Sequence, residues 1–254
     1  MLIGLYTILS LLLRGGGSEE PFILPKAEKV VKQAIEEPAR KDQAVLAMKS
    51  YSKEWKKLLK TRKKQAKGIS KLNKDRSVDS QAIADLFQDY RSKRRGVKDN
   101  LISFRLNIQK LMTDEEWAKV IDQLENVKPK KVEKQNKAML KSQLKQDKKF
   151  MAIESEIKAA FSVPKNIEEV QKDLIQFEDD LTDLIFETQE GPAQVVEIMR
   201  NRSATKDQLT EVIMKQEEYR AKAHASFLKL RTNLVEVSTD DNWSKIAKAL
   251  NKLI

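Results

Sequence analysis

The sequence predicts an all-α fold built from two tandem helical-hairpin bundle repeats, and three observations carry that prediction. The composition suits long helices: 254 residues hold 7 Gly and 6 Pro, 34% of them are charged, and Ala, Leu, Lys, Glu and Gln are abundant. Apolar residues recur at alternating steps of four and three over long stretches, the pattern of helices packed along a heptad seam. The chain also matches itself at an offset of 126 residues. Residues 76–124 laid over 202–250 agree at ten of 49 positions: Arg76/Arg202, Ser77/Ser203, Arg94/Arg220, Arg105/Arg231, Asn107/Asn233, Thr113/Thr239, Asp114/Asp240, Trp117/Trp243, Lys119/Lys245 and Leu124/Leu250. Most of the differing apolar positions stay apolar, which points to a repeated structural unit.

Residues 1–13, MLIGLYTILSLLL, form an apolar run closed by Arg14 and the stretch Gly15-Gly16-Gly17-Ser18. As a helix the run rises about 20 Å, short of a hydrocarbon core of about 30 Å. It lacks an Ala-x-Ala-like cleavage site, so residues 1–25 are expected to act as an uncleaved signal anchor and linker. The basic residues lie after this segment rather than before it, which taken alone would keep the body on the cytoplasmic side.

The first repeat is expected over residues 26–127. A short helix over 26–37 should end at Pro38, because the residue before a proline avoids helical geometry. A long helix from residue 40 to about 71 carries Ala44, Met48, Tyr51, Trp55 and Leu58 on one face. The breaker region 73–80 turns it into a second long helix with the seam Ile83, Phe87, Tyr90, Arg94, Val97, Leu101, Phe104, Ile108 and Leu111. Two long helices joined by so short a break form an antiparallel hairpin. A basic linker or connecting helix follows over 128–149, with nine Lys against Glu133 and Asp147. Residues 150–254 repeat the plan, with Val170, Leu174, Phe177, Leu181 and Leu184, then Leu209 to Val237 at the same spacing.

Two recurring features mark candidate sites. In Thr113-Asp114-Glu115-Glu116-Trp117, Thr113 and Glu116 have the spacing of a capping box, acidic residues occupy the first turn, and Met112 and Trp117 occupy the positions of a hydrophobic staple. Thr239, Asp240 and Trp243 keep the cap, the acid and the ring in the second repeat. Arg94 and Arg220 fall on the apolar seam of both repeats. In a hairpin turning near residue 75, Arg94 lies level with Glu54 and Trp55, and Arg220 lies level with Asp180. An inward Arg–carboxylate pair that fixes helix register accounts for this, as would a cleft for an anionic ligand. Arg105 and Arg231, with Asn107 and Asn233, flank the seam and either tie the long helix to the short first helix or line a groove.

The chain has no cysteine, which removes disulfides, thiolate metal sites and cysteine nucleophiles. Its one histidine, His224, is expected to face solvent rather than ligate a metal, and neither metal nor cofactor is expected. Without a Gly-rich phosphate loop, a nucleophile elbow or a histidine base, enzyme activity is not expected. The net charge of +11 is concentrated in the first 149 residues, while the remainder is net acidic. One half therefore attracts the other, or the basic half faces an anionic partner.

A helical hairpin followed by an apolar-Thr-acid-acid motif that opens a further helix, present twice in a basic chain with an export-like start, resembles the Spy/CpxP family of periplasmic chaperones and stress sensors. That family carries two Leu-Thr-x-x-Gln motifs; here Met112-Thr113-Asp114-Glu115-Glu116 and Ser238-Thr239-Asp240-Asp241-Asn242 share only the Thr. The resemblance implies a client-binding or sensing role. The expected function is thus a non-enzymatic, membrane-anchored envelope protein on the periplasmic side, a chaperone-like or client-binding module. Lys56, Lys57, Lys60, Arg62, Lys63 and Lys64 would form its basic binding surface. Expected partners are unfolded or acidic protein clients, the membrane through the N-terminal segment, and a second copy in a homodimer; nucleic acid is not expected. The alternatives are a scaffold or spacer that self-associates through its heptad seams, and a basic binder of anionic membrane or nucleic acid on the cytoplasmic side.

Overall fold

A computed structural model describes residues 27–125, 148–159 and 164–253. The expectations placed on residues 1–25 and on most of 128–149 lie outside the described residues. Among the described residues there are eight helices and no strand. They are α1 (Ala27–Ala34), α2 (Pro38–Leu72), α3 (Ser80–Leu111), α4 (Asp114–Glu125), α5 (148–159), α6 (Pro164–Arg200), α7 (Lys206–Val237) and α8 (Asp240–Leu253).

The helix ends follow local chemistry. Pro38 opens α2 at a position where its missing N–H costs nothing and its fixed φ suits the helix. The Asp79 carboxylate caps α3 by accepting from the Gln81 N–H at 2.9 Å. Thr205 and Gln208 close a reciprocal capping box at the start of α7. At α4 the Thr113 N–H donates to Glu116 at 2.8 Å and the Glu116 N–H to the Thr113 hydroxyl at 3.2 Å. The Thr239 hydroxyl accepts from the Asn242 N–H at 3.4 Å, the corresponding contact before α8.

Packing proceeds from two hairpins. α2 lies on α3 and α6 on α7, while α3 and α7 lie against each other. Ser80 meets Thr232, Arg94 meets Glu217 and Lys98 meets Gln216, so residue numbers rise on one helix as they fall on the other and the pair is antiparallel. α1 bridges α2 and α4.

The apolar core ignores the boundary between the halves. One buried cluster joins Leu58, Ile69, Ile83 and Phe87 to Phe150, Phe177, Phe227 and Trp243; the other joins α1 to α4 with Ala204 and Leu209. Aromatic rings run through four helices, from Phe87 to Phe227 at 6.1 Å, to Phe177 at 5.6 Å and to Phe150 at 5.9 Å. The heptad seams are thereby consumed inside the chain.

Phe177 sits at the centre of this run. Phe177→Ala should cost about 3–5 kcal/mol. Because the core is shared, the loss should appear as one cooperative unfolding transition shifted to lower denaturant, with both Trp117 and Trp243 environments reporting it. Two separated transitions would contradict a shared core.

Candidate functional site

The two halves are held by contacts that recur at positions 126 residues apart. The Arg76 guanidinium donates to the Val235 carbonyl at 3.0 Å and pairs with Asp240 at 3.0 Å. The Arg202 guanidinium donates to the Gln109 carbonyl, the counterpart of Val235, at 3.5 Å and to the Met112 carbonyl at 2.6 Å, and pairs with Asp114. The Trp117 indole N–H reaches the Arg200 carbonyl at 2.8 Å, and the Trp243 indole N–H reaches the Lys74 carbonyl at 3.2 Å. Arg105 donates to the Asn201 carbonyl at 2.7 Å, and Arg231 donates to the Asp75 carbonyl at 3.1 Å. Each of these two arginines also lies over the Trp of its own short helix, Arg105 over Trp117 at 4.1 Å and Arg231 over Trp243 at 5.4 Å.

The loops that receive these contacts are shaped alike. The Asp75 side chain accepts from the N–H and hydroxyl of Ser77, and the Asn201 side chain accepts from the N–H and hydroxyl of Ser203. This Asx-type turn aims the backbone carbonyls of residues 74–75 and 200–201 at the opposite hairpin. Arg105 and Arg231, expected either to tie the long helix to the short first helix or to line a groove, lie instead over the Trp of the short helix that follows and bond to the loop of the other half. Burial holds both guanidinium groups below their usual range; for Arg105 the nearby Arg202 charge adds to it, whereas for Arg231 the acids Asp75 and Asp79 oppose it.

Midway along the α3–α7 contact lies a buried charged layer. Arg94 and Arg220 both approach Glu217, at 2.9 and 3.1 Å. Lys98 donates to the Gln216 side chain at 3.2 Å, and Tyr90 beside them has its phenol pushed up by burial. The partner of the seam arginines is therefore Glu217 rather than Glu54 or Asp180. Glu54 instead accepts from Asn100 at 2.8 Å, and Asp180 accepts from Gln176 at 3.2 Å. The reason is that the seam of α3 faces α7, so the level of α2 in the hairpin does not decide what Arg94 meets. Trp55 is half-buried against the core. His224, expected at the surface, is buried and stacks on Phe87 with 4.0 Å between ring centroids. It corresponds to Lys98, and both face the α3–α7 contact.

At the outer end of the first half, Glu116 gathers three donors. Arg40 reaches it at 2.7 Å while also donating to the Leu111 carbonyl, and the Glu36 N–H donates at 3.1 Å. These bonds tie α1 and α2 to the start of α4. Burial raises the Glu116 pKa, but the hydrogen bonds from Arg40 and from the N–H groups of Thr113 and Glu36 outweigh it and hold the carboxyl down to about 2.

The basic surface is a ridge along α2. Lys49, Lys53, Lys56, Lys60, Lys63 and Lys67 follow steps of four and three, all exposed, and extend over about 27 Å of helix. Lys57 and Lys64 are exposed beside them, and Arg62 is half-buried. Among the described residues no carboxylate lies within ion-pair distance of the six ridge lysines. Where α1 approaches the ridge, an open depression of about 510 Å³ is lined by Glu28, Lys49, Ser52, Lys53, Lys56, Lys57 and Lys60. Sequence reasoning named Lys56, Lys60 and Lys63 of this ridge and missed Lys49, Lys53 and Lys67, which the heptad step extended from Lys56 in both directions would have supplied.

Among the described residues there is no group of three or more His, Asp or Glu side chains able to hold a metal ion. No helix among them is long and apolar enough to cross a membrane. Comparison of the chain with protein-family models, with curated proteins and with solved structures finds no match.

Two outcomes follow from this geometry. Because the folded Glu116 carboxyl titrates below its unfolded value of 4.5, its contribution is fully present above that pH and is lost as pH falls toward 2. Glu116→Gln should lower stability near neutrality by roughly 1.5–3 kcal/mol and flatten the acid limb of a thermal-midpoint profile between about pH 5 and pH 2.5. Trp117→Phe and Trp243→Phe each remove one indole donor and should cost about 1 kcal/mol apiece in chemical denaturation. The two sites lie at opposite ends of the α3–α7 pair, so the double variant should lose the sum to within about 0.5 kcal/mol.

Proposed function

We propose that the protein is a non-enzymatic helical scaffold, two copies of one helical unit mated as in an isologous dimer, that presents the α2 lysine ridge to an acidic protein partner. The duplication is supported by the reciprocity of the contacts: the residues identical at the 126-residue offset include those that hold the halves together, and each acts on the opposite half. That is the arrangement of a two-fold interface within one chain. The ridge carries the functional reading, because six exposed lysines stand on one face and no described carboxylate lies within ion-pair distance of them, Glu28 beside Lys49 being a nearby acid. Such a face draws an acidic partner from a distance and sets its orientation.

In this reading the apolar run at residues 1–13 tethers the scaffold, with the envelope side as its place, as the resemblance to Spy/CpxP implies. Attraction to clients is electrostatic. The exposed large hydrophobics among the described residues are Leu46, Met151 and Ile175, on three separate helices, and they form no continuous apolar groove. The heptad seams are engaged between the hairpins, which leaves them no part in self-association.

Binding of fluorescent poly-L-glutamate to the full chain, read by anisotropy, tests the ridge. The triple variant Lys53→Glu, Lys56→Glu, Lys60→Glu should weaken binding at least about tenfold and reduce its dependence on salt between about 20 and 500 mM. Equal affinity of the variant and the parent chain at every ionic strength would refute the reading. Tighter binding of duplex DNA than of poly-L-glutamate at matched salt would overturn the choice of an acidic protein as partner.

A further inference from the structure

The two outer helices occupy corresponding places in the two hairpins, α2 on α3 and α6 on α7, yet their charges are opposite. α2 contains twelve Lys or Arg against two Asp or Glu, whereas α6 contains three against ten. On α6 the carboxylates Glu168, Glu169, Asp179 and Asp183 are exposed, and among the described residues none is in an ion pair. The acidic face is interrupted by Lys172. Each charged face also carries one large exposed hydrophobic residue. Leu46 is 71% exposed and lies one turn before Lys49 and two before Lys53; Ile175 is 58% exposed and lies one turn before Asp179.

We propose that the acidic partner of the α2 ridge is the α6 face of a second copy of this chain. This rests on the reading of α2 as an attachment ridge and names what attaches. Every molecule carries both faces, so engaging the ridge of one copy leaves its α6 face open to the next. The contact is heterologous, and it builds linear chains rather than a closed pair. Each junction brings the ridge from Lys49 to Lys67, about 27 Å long, opposite the carboxylates from Glu168 to Asp183, which span about 22 Å of α6. Because the attraction is between solvent-facing charges, assembly follows ionic strength.

Sedimentation velocity of the full chain in a non-ionic detergent, which keeps the apolar residues 1–13 from associating, tests the proposal. At about 20 mM salt the weight-average mass should rise with concentration to at least about three times that of the single chain, and return to the single chain at about 500 mM. The ridge variant Lys53→Glu, Lys56→Glu, Lys60→Glu and the α6 variant Glu168→Lys, Asp179→Lys, Asp183→Lys should each remain single chains, and mixing the two should restore association. All six positions are solvent-facing, and unchanged thermal midpoints confirm that both variants fold. The ridge variant retains an intact α6 face, so small amounts should shorten parent assemblies by ending them. A parent chain that stays single at every salt, a mass that saturates at two chains, or variants that assemble like the parent would each overturn the proposal. If poly-L-glutamate still binds the ridge of a chain that stays single, the self-assembly inference alone falls. If it does not bind, the attachment reading falls with it.

Discussion

Four guanidinium groups that must find acceptors away from water govern this molecule. Arg94, Arg105, Arg220 and Arg231 are among its largest fully buried side chains. A buried cation left without partners costs several kcal/mol, so the arrangement of the helices is restricted to those that bring acceptors to all four. Two acceptors are backbone carbonyls in the loop of the opposite hairpin, at Asn201 and Asp75. A third is Glu217, which serves both Arg94 and Arg220 from α7. Sliding α3 along α7 by one turn, about 5.4 Å, would separate Arg94, Arg105 and Arg231 from these acceptors at once and leave Glu217 to Arg220 alone. Apolar seams tolerate such slips far better, because one Leu or Ile level resembles the next. The arginines therefore set the register, while the phenylalanines and aliphatic residues supply most of the adhesion.

The same constraint explains what the sequence disclosed and what it withheld. Helix positions were legible because they depend on local matters: Pro38 at a start, Asp79, Thr113 and Thr205 as caps, and a four-three apolar period between them. The seam position of Arg94 was legible for the same reason. Its partner was not, since a hairpin diagram offers only neighbours within the hairpin and places Glu54 at the right height. Glu217 corresponds to Arg91 in the other half, so comparing the halves hid it. Carbonyl acceptors are harder still: every residue has one, and nothing in the side chains of Lys74 or Arg200 announces that the backbone there receives an indole N–H. What could have been noticed is the invariance of Ser77 and Ser203, small polar residues identical in both loops, whose hydroxyls shape the turn that aims those carbonyls. His224 shows the opposite error. It was placed at the surface as an isolated polar residue, yet an imidazole stacked on Phe87 fits an aromatic layer with little loss.

The buried contacts between the halves and the charge on their outer faces follow different rules. Several residues identical at the offset, among them Arg76/Arg202, Arg105/Arg231 and Trp117/Trp243, bond across the halves, whereas the outer helices share few charged positions and have opposite sign. Surface charge on an exposed helix face changes stability by only tenths of a kcal/mol per residue, so it is free to vary while the buried arginines are not. A mated pair of this kind offers two independently adjustable faces on a rigid body, one basic and one acidic.

The reciprocity of the contacts has a consequence for synthesis. Arg105 leaves the ribosome 96 residues before the carbonyl of Asn201 that receives it. At about 5–20 residues per second the first hairpin waits roughly 5–20 s with that guanidinium unmatched and with half of its seam facing water. Pairing between the two halves is non-local, with Asn251 bonding to Ser70 across 181 positions. Such a chain must hold an incomplete, partly apolar and strongly basic intermediate in solution until its second half arrives. The lysines of α2 are already made when that interval begins. Their mutual repulsion keeps nascent first halves apart from one another during the time in which they are most prone to associate wrongly.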